Sequence, residues 1–247
     1  MNEDPLKVIN DWYLRPIGKK ILKREWMELS KAFATLYGDF LVQIGGDSHL
    51  TLCSPSPITH HIYLGSLSTV SPPSLAIIGN PEALPLMPNS CEGIVVPHVL
   101  EVVTDPERVL SEAYLALRPQ GLLFILTFNL MSWWGCWQWM RRKSKLPEGM
   151  RFLSSTHLCA LLMRCDYHIV KKETFCRGIP HRQEKKIPIL SLLGRLFFKR
   201  SGCIRLIIAQ KQVEAPTLVG LATGWKKQRN PVRAHCPEPS ARKEIHE

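Results

Sequence analysis

The sequence predicts an α/β fold built on a mostly parallel β-sheet. Three observations support this: short apolar runs of strand length, an amphipathic helix between two of them, and paired glycines that close the first run. A strand, a crossover helix and a second strand form the unit from which parallel sheets are built. With 247 residues and 45% hydrophobic composition, the chain can bury one sizeable core, so we expect a single domain.

The first part of the chain predicts an N-terminal helical segment over residues 1–37. Apolar residues recur at helical spacing among charged ones from 17 to 37, namely Ile17, Ile21, Leu22, Leu29 and Phe33. Gly38 follows at the point where this helix should end. The segment therefore predicts one amphipathic helix that leads into the first strand.

Apolar runs bounded by turn residues predict the strands. They lie at 40–46, 60–65, 74–80, 92–100, 121–129, 168–176 and 202–212. Between the fourth and fifth runs, residues 104–121 predict a helix that Thr104 or Asp105 can cap and that has Pro106 in its first turn. Residues 154–167 predict a further helix. From residue 213 to 247 the apolar periodicity disappears, which predicts a disordered basic tail.

Charge and cysteine spacing narrow the function classes. The net charge of +11 belongs to the second half, since residues 141–210 hold 16 Lys and Arg against 4 Asp and Glu. Such a field attracts nucleic acid, anionic lipid or an acidic protein, and a solvated face without a partner is equally open. The eight cysteines form no Cys-x-x-Cys pair, so no metal site is predicted. The N-terminus does not resemble a signal peptide and no apolar run approaches the length of a membrane span, so we expect a cytoplasmic protein.

About fifty residues carry a resemblance to a known family. They contain Asn80-Pro81-Glu82-Ala83-Leu84-Pro85-Leu86, then Asn89-Ser90-Cys91-Glu92-Gly93-Ile94-Val95-Val96, His98-Val99-Leu100-Glu101, Asp105-Pro106 and Leu117-Arg118-Pro119-Gln120-Gly121. In order and spacing this stretch resembles the type 11 group of class I S-adenosylmethionine (SAM) dependent methyltransferases. Within that group, the chain looks most like uncharacterised bacterial YafS-like proteins.

The resemblance implies a Rossmann-like, seven-stranded, mostly parallel sheet over residues 38–212, with 202–212 as one antiparallel strand beside 168–176. It also implies SAM as cofactor. The residues expected to contact it are Gly45, Gly46, Asn80, Ala83, Leu84, Pro97 and His98. The two glycines would allow close backbone approach, and the others would meet the adenine or line the floor beneath the methionine arm.

The chain departs from the family pattern after its first strand. Gln43 stands where the family has an acid, the Gly-x-Gly-x-Gly loop is reduced to Gly45 and Gly46, and the second strand ends without the usual acid. Two hypotheses therefore stand side by side. One is a SAM-dependent methyltransferase for a small-molecule or lipid-like acceptor, in which His98 is the nearest candidate base. The other is a non-catalytic protein of the same fold that binds a partner or regulates one.

Tryptophans and basic residues cluster directly after the fifth strand. Residues 129–145 hold Trp133, Trp134, Trp137 and Trp139 beside four Arg and Lys residues. Aromatic and basic side chains together suit a lipid-like acceptor, an anionic membrane surface or, as a less favoured partner, nucleic acid. Packing of the tryptophans against the core is equally open. The acceptor, catalytic residues and oligomeric state are not identified by the sequence.

Overall fold

The computed structural model describes residues 5–45, 52–65, 75–129, 132, 150–176 and 202–212. All of them belong to one compact unit, Met1–Val213, and the remainder of the chain, Glu214–Glu247, is a separate unit. Gly46, almost all of the tryptophan segment and the predicted tail lie outside the described residues. Among the described residues, no helix has both the length and the apolar character needed to cross a bilayer.

The chain begins with two helices, where the sequence predicted one. Helix α1 spans Pro5–Tyr13 and helix α2 spans Pro16–Ala32, followed by a 3-10 turn at Phe33–Thr35. The prediction for 17–37 was therefore wrong about the end of the helix. Pro16 begins α2, since proline has no N–H to donate and is favoured in a first turn.

Seven strands form one sheet. They are β1 (Phe40–Ile44), β2 (His60–Gly65), β3 (Leu75–Ile78), β4 (Cys91–Pro97), β5 (Leu117–Phe128), β6 (Tyr167–Phe175) and β7 (Ile204–Lys211), and their order across the sheet is β3-β2-β1-β4-β5-β7-β6. The first five are parallel, whereas β7 is antiparallel to both β5 and β6. The predicted seven-stranded, mostly parallel α/β fold is confirmed.

Two further helices lie on one face of the sheet, the face opposite to the one that α2 covers. Helix α3 (Pro106–Ala116) connects β4 to β5, and helix α4 (Ser155–Arg164) precedes β6. Asp105 caps α3 by accepting hydrogen bonds from the backbone N–H groups of Glu107 and Arg108, so Asp105 and not Thr104 is the cap. Helix α3 ends at Ala116 and strand β5 begins at Leu117, two residues before Pro119. Proline has no N–H to continue a helix and disfavours the helical conformation in the residue before it.

The core has two layers, one on each face of the sheet. Helices α3 and α4 bury their apolar stripes against one face, through residues such as Val109, Leu110 and Leu162. Helix α2 covers the other face with Ile21 and Leu29. The central strand β4 is buried along its whole length, as expected for a parallel strand covered on both faces. The carboxyl ends of β1 to β5 meet at one edge of the sheet, called here the carboxyl edge.

Candidate functional site

The predicted contact residues for a ligand gather at the carboxyl edge. Gly45 follows β1, Asn80 follows β3, and Pro97 ends β4 with His98 directly behind it. In open α/β sheets ligands bind at this edge. Topology thus brings together the described members of the predicted site, although their contact with a cofactor stays a prediction.

Gly45 has a left-handed backbone in a closely packed place. Its φ is +71°, a value that residues other than glycine rarely adopt. Its N–H donates to the Leu64 carbonyl at 2.8 Å. A Cβ added there would lie 2.8 Å from Val99 Cγ2 and 2.9 Å from Leu6 Cδ2. The space over the Gly45 backbone is therefore filled by side chains from α1 and from the turn after β4.

The amide that replaces the family acid holds the loop after β1. Gln43 is buried, its Nε2 donates to the Gly45 carbonyl at 2.9 Å, and its Oε1 accepts from the Leu52 N–H at 2.7 Å. A carboxylate could accept the second hydrogen bond but could not donate the first. Gln43 therefore joins the two ends of the loop in a way that the family acid could not.

The backbone N–H groups of the turn after β3 already donate hydrogen bonds within the protein. Pro81 has no N–H, while the N–H groups of Glu82 and Ala83 donate to Asn80 Oδ1 at 2.9 Å and to the Asn80 carbonyl at 3.0 Å. The Leu84 N–H donates to Glu112 Oε2 at 3.0 Å. Asn80 itself is exposed, so its side-chain amide nitrogen is the donor that this turn presents to a ligand.

His98 lies between two buried carboxylates. Its Nε2 is 2.8 Å from Glu25 Oε1 and its Nδ1 is 2.9 Å from Glu101 Oε2, and the side chains of all three residues are fully buried. The backbone of His98 is left-handed, with φ of 57°, which turns the chain sharply after β4. The two carboxylates contact opposite nitrogens of the ring, so they cannot converge on one metal ion. Among the described residues, no group of His, Cys, Asp or Glu side chains is arranged to hold a metal.

The two carboxylates keep the imidazole protonated. Burial by itself would lower the pKa of His98, but the charge of Glu25 and the hydrogen bonds that the ring donates to both carboxylates raise it to about 9. Burial raises the pKa of Glu101, an effect that His98 opposes. At neutral pH the ring is thus an imidazolium with both nitrogens engaged, and it has no lone pair with which to accept a proton.

Neighbouring groups satisfy the remaining oxygens of these carboxylates. The Tyr13 hydroxyl donates to Glu25 Oε2 at 2.8 Å, and the Phe128 N–H donates to Glu101 Oε1 at 2.9 Å. The Phe128 ring stacks on His98 with centroids 3.9 Å apart. Tyr13, Glu25, His98 and Glu101 are called here the histidine cluster. It connects α1 and α2 to the carboxyl edge.

Sequence reasoning predicted His98 but missed Tyr13 and Glu25. A signal for Glu25 exists, because residues 17, 21, 25, 29 and 33 follow one another at four-residue spacing along the apolar stripe of α2, and only position 25 is charged. A charge in an apolar stripe indicates a buried partner. Nothing local to the sequence indicates that the partner follows β4.

Comparisons with known proteins agree with this architecture. A family model described as a methyltransferase domain matches residues 44–172. An uncharacterised Escherichia coli (strain K12) protein, YafS, is 26% identical over 220 residues, which are 88% of this chain and 87% of YafS.

Solved structures share the fold at low identity. A Thermotoga maritima SAM-dependent methyltransferase, described as a possible histamine N-methyltransferase, superposes with a TM-score of 0.65 at 18% identity, over 85% of this chain and 100% of that one. The Bacillus YcgJ protein superposes with a TM-score of 0.54 at 17% identity, over 77% and 99% of the two chains. These two likenesses concern the fold.

Proposed function

The chain belongs to the methyltransferase-domain family, and from that premise we propose that it transfers a methyl group from SAM to a small-molecule or lipid-like acceptor, with an altered donor loop. The observation that supports this most is the placement of Gly45, Asn80 and Pro97 together at the carboxyl edge. These residues come from three parallel strands, as a ligand lying across the edge requires.

The described residues fit one end of the donor better than the other. At the β3 end, the exposed Asn80 amide and the exposed Ala83 are open to an adenosine. At the β1 end, Gly45 has no Cβ that would block a ligand, but the side chains of Leu6 and Val99 cover its backbone. We therefore propose that the Leu6 side chain leaves Gly45 when the donor binds.

When bound, SAM supplies an electrophilic methyl on a sulfonium, and the contribution of the protein is alignment. The histidine cluster holds α1 and α2 at the carboxyl edge, where the reacting groups would meet. His98 is a positioning residue in this proposal, because its nitrogens are both engaged and its ring is buried. No described residue is assigned as the base that deprotonates the acceptor.

A second candidate, a non-catalytic member of the family that binds a partner, is favoured by a specific observation. The Gly45 backbone is covered by Leu6 and Val99, and the N–H groups of Glu82, Ala83 and Leu84 are all engaged. A donor would have to displace these existing contacts. The two candidates differ in whether SAM binds at all.

Calorimetric titration with S-adenosylhomocysteine distinguishes them. We expect weak binding, since losing one charge-assisted hydrogen bond to the ribose weakens affinity about ten- to hundredfold. Gly45→Val should abolish it. Gly38→Val is the matched control, because Gly38 also has a positive φ, +136°, but precedes β1 at the opposite edge of the sheet. Absence of heat from the wild type at millimolar ligand would favour the non-catalytic candidate, and binding unchanged in Gly45→Val would place the site elsewhere.

The lipid-like acceptor and the anionic membrane contact rest on the tryptophan and arginine segment at 133–145, outside the described residues. Flotation with anionic and neutral vesicles tests this part of the proposal. Binding to anionic vesicles alone would support it. Absence from both kinds of vesicle would leave two interpretations of the segment, the rim of an acceptor pocket or packing against the core.

A further inference from the structure

Of the buried polar side-chain atoms that have no hydrogen-bond partner in the described part of the chain, three lie on β5, α4 and β7. They are Thr127 Oγ1, Ser155 Oγ and Arg205 Nη1. Arg205 is 5% exposed, and its other terminal nitrogen, Nη2, donates to Asn129 Oδ1 at 2.9 Å. A buried guanidinium nitrogen without an acceptor is costly, so its retention requires an explanation.

The sheet register brings Thr127 and Arg205 together. The two residues lie directly opposite each other in the antiparallel pair of β5 and β7, so their side chains stand on the same face of the sheet. That face is the one covered by α3 and α4, because Ile125 and Ile207, two residues away on each strand, belong to that core layer.

The first turn of α4 reaches the same place. The thiol of Cys159 accepts a hydrogen bond from Lys172 Nζ at 3.7 Å, and Lys172 is two residues from Thr174, the β6 residue directly opposite Arg205. Ser155 precedes Cys159 by four residues and therefore lies on the same side of α4, one turn nearer its N-terminus. The first turn of α4 contains no acidic residue, so the positive end of the helix dipole adds to the charge of Arg205.

No carboxylate of the described residues forms a hydrogen bond with this guanidinium. Glu101 acts on Arg205 through its charge, while its two oxygens accept hydrogen bonds from His98 and from the Phe128 N–H. Burial lowers the pKa of Arg205 but leaves it charged at neutral pH. A cation, two hydroxyls and a helix N-terminus together are the groups that recognise an oxyanion.

We propose that Arg205, Thr127 and Ser155 form a subsite for an oxyanion group, a carboxylate or a phosphate, carried by the methyl acceptor. The assignment to the acceptor rests on the proposed function. The carboxylate of the donor is a poorer fit, because β7 is three strands away from β1, a distance of about 14 Å at the usual strand spacing. Thr127 is one residue from the end of β5, so the subsite lies at the carboxyl edge, the edge at which the proposed donor site also lies.

Thermal unfolding in the presence of simple oxyanions tests the subsite without any methyl transfer. Sodium phosphate and sodium acetate are titrated against sodium chloride at equal ionic strength, and the midpoint temperature Tm is recorded. We expect Tm to rise with phosphate, with acetate or with both, beyond the chloride effect, because a ligand bound only by the folded state stabilises it. The anion with the larger effect identifies the group.

Three variants and one control locate the effect. Arg205→Met should weaken the apparent affinity at least about tenfold, through the loss of charge-assisted hydrogen bonds. Thr127→Val and Ser155→Ala should each weaken it less. Arg108→Met removes the same charge from an exposed position on α3 and should leave the affinity unchanged. If Arg205→Met fails to fold, the isosteric Thr127→Val tests the subsite in its place, because it should still weaken the effect of the oxyanion on Tm.

The proposal is overturned if neither anion raises the wild-type Tm beyond chloride, or if Arg205→Met and Thr127→Val respond like the wild type. Titration of Arg205→Met with S-adenosylhomocysteine separates this outcome from failure of the proposed function. Donor binding together with an oxyanion effect independent of Arg205 would remove the subsite alone. An Arg205-dependent oxyanion effect without donor binding would remove only its assignment to a methyl acceptor.

Discussion

Nε2 of His98 lies 2.8 Å from Oε1 of Glu25, although the two residues are 73 positions apart. This contact fixes α2 to the turn after β4 inside a fully buried environment. Because α1 precedes α2 and carries Tyr13 into the same cluster, the contact also holds Leu6 over Gly45. The histidine cluster therefore determines what covers the candidate donor site.

Removal of Glu25 should destabilise the protein strongly. Glu25→Ala leaves Tyr13 and His98 buried without their acceptor, which we expect to lower the free energy of unfolding by about 3–5 kcal/mol. Glu28→Ala is the control on the same helix, because Glu28 pairs with the exposed Lys31 and should cost less than about 1 kcal/mol. Urea denaturation measures both values, and similar losses in the two variants would contradict a stabilising role for the cluster.

Stability should fall on the alkaline side of neutrality. The pKa of His98 is raised to about 9 in the folded state, against about 6.5 in an unfolded chain. The bound proton therefore contributes fully below pH 6.5, and its contribution is lost as pH rises through 9, on the order of 3 kcal/mol in total. Glu25 and Glu101 set this window through their charges and hydrogen bonds, while Tyr13 donates to Glu25 and the charge of Arg205 acts on Glu101.

Comparison with His98→Asn isolates that contribution, since asparagine tolerates the left-handed backbone at this position. Urea denaturation from pH 6 to pH 9.5 should show a steeper decline in the wild type than in the variant. Parallel curves would mean that the proton on His98 does not stabilise the fold.

Shortening Leu6 should open the donor site. Leu6→Ala removes the Cδ2 that lies over Gly45, so the affinity for S-adenosylhomocysteine should rise several-fold. Ile9→Ala is the matched control, because Ile9 is also fully buried on α1 but packs into the opposite core layer. Both changes should cost about 2–5 kcal/mol of stability. Equal affinities in the two variants would show that Leu6 does not control access.

Replacing Gln43 with the acid of the family pattern should destabilise the loop after β1 instead of improving donor binding. Gln43→Glu removes the donor to the Gly45 carbonyl and places a carboxylate against that oxygen, a loss of about 1–3 kcal/mol. Gln210→Glu makes the same change at a less buried site on β7 and should cost less. Denaturation and calorimetry check both effects, and tighter donor binding by Gln43→Glu would contradict the structural role assigned to the amide.

Much of the fold could be predicted from local patterns. The run at 60–65 coincides with β2, and the runs at 92–100 and 121–129 became the adjacent parallel strands β4 and β5. Strand ends were less predictable: β4 ends at Pro97 because His98 turns left-handed, and an apolar sequence continues past that point without indicating it. Helix α1 was missed because its nine residues are too few to produce a clear periodic pattern.

The sequence by itself determined the α/β class, the succession of strands along the chain and the family, since periodicity, turn residues and motif spacing are properties of neighbouring positions. Only the tertiary structure decided that Glu25 meets His98, that Leu6 covers Gly45, and that Thr127 faces Arg205 across two strands. Such contacts join residues far apart in the chain. A buried polar group needs a hydrogen-bond partner, and the packing of helices against the sheet determines which partners are within reach.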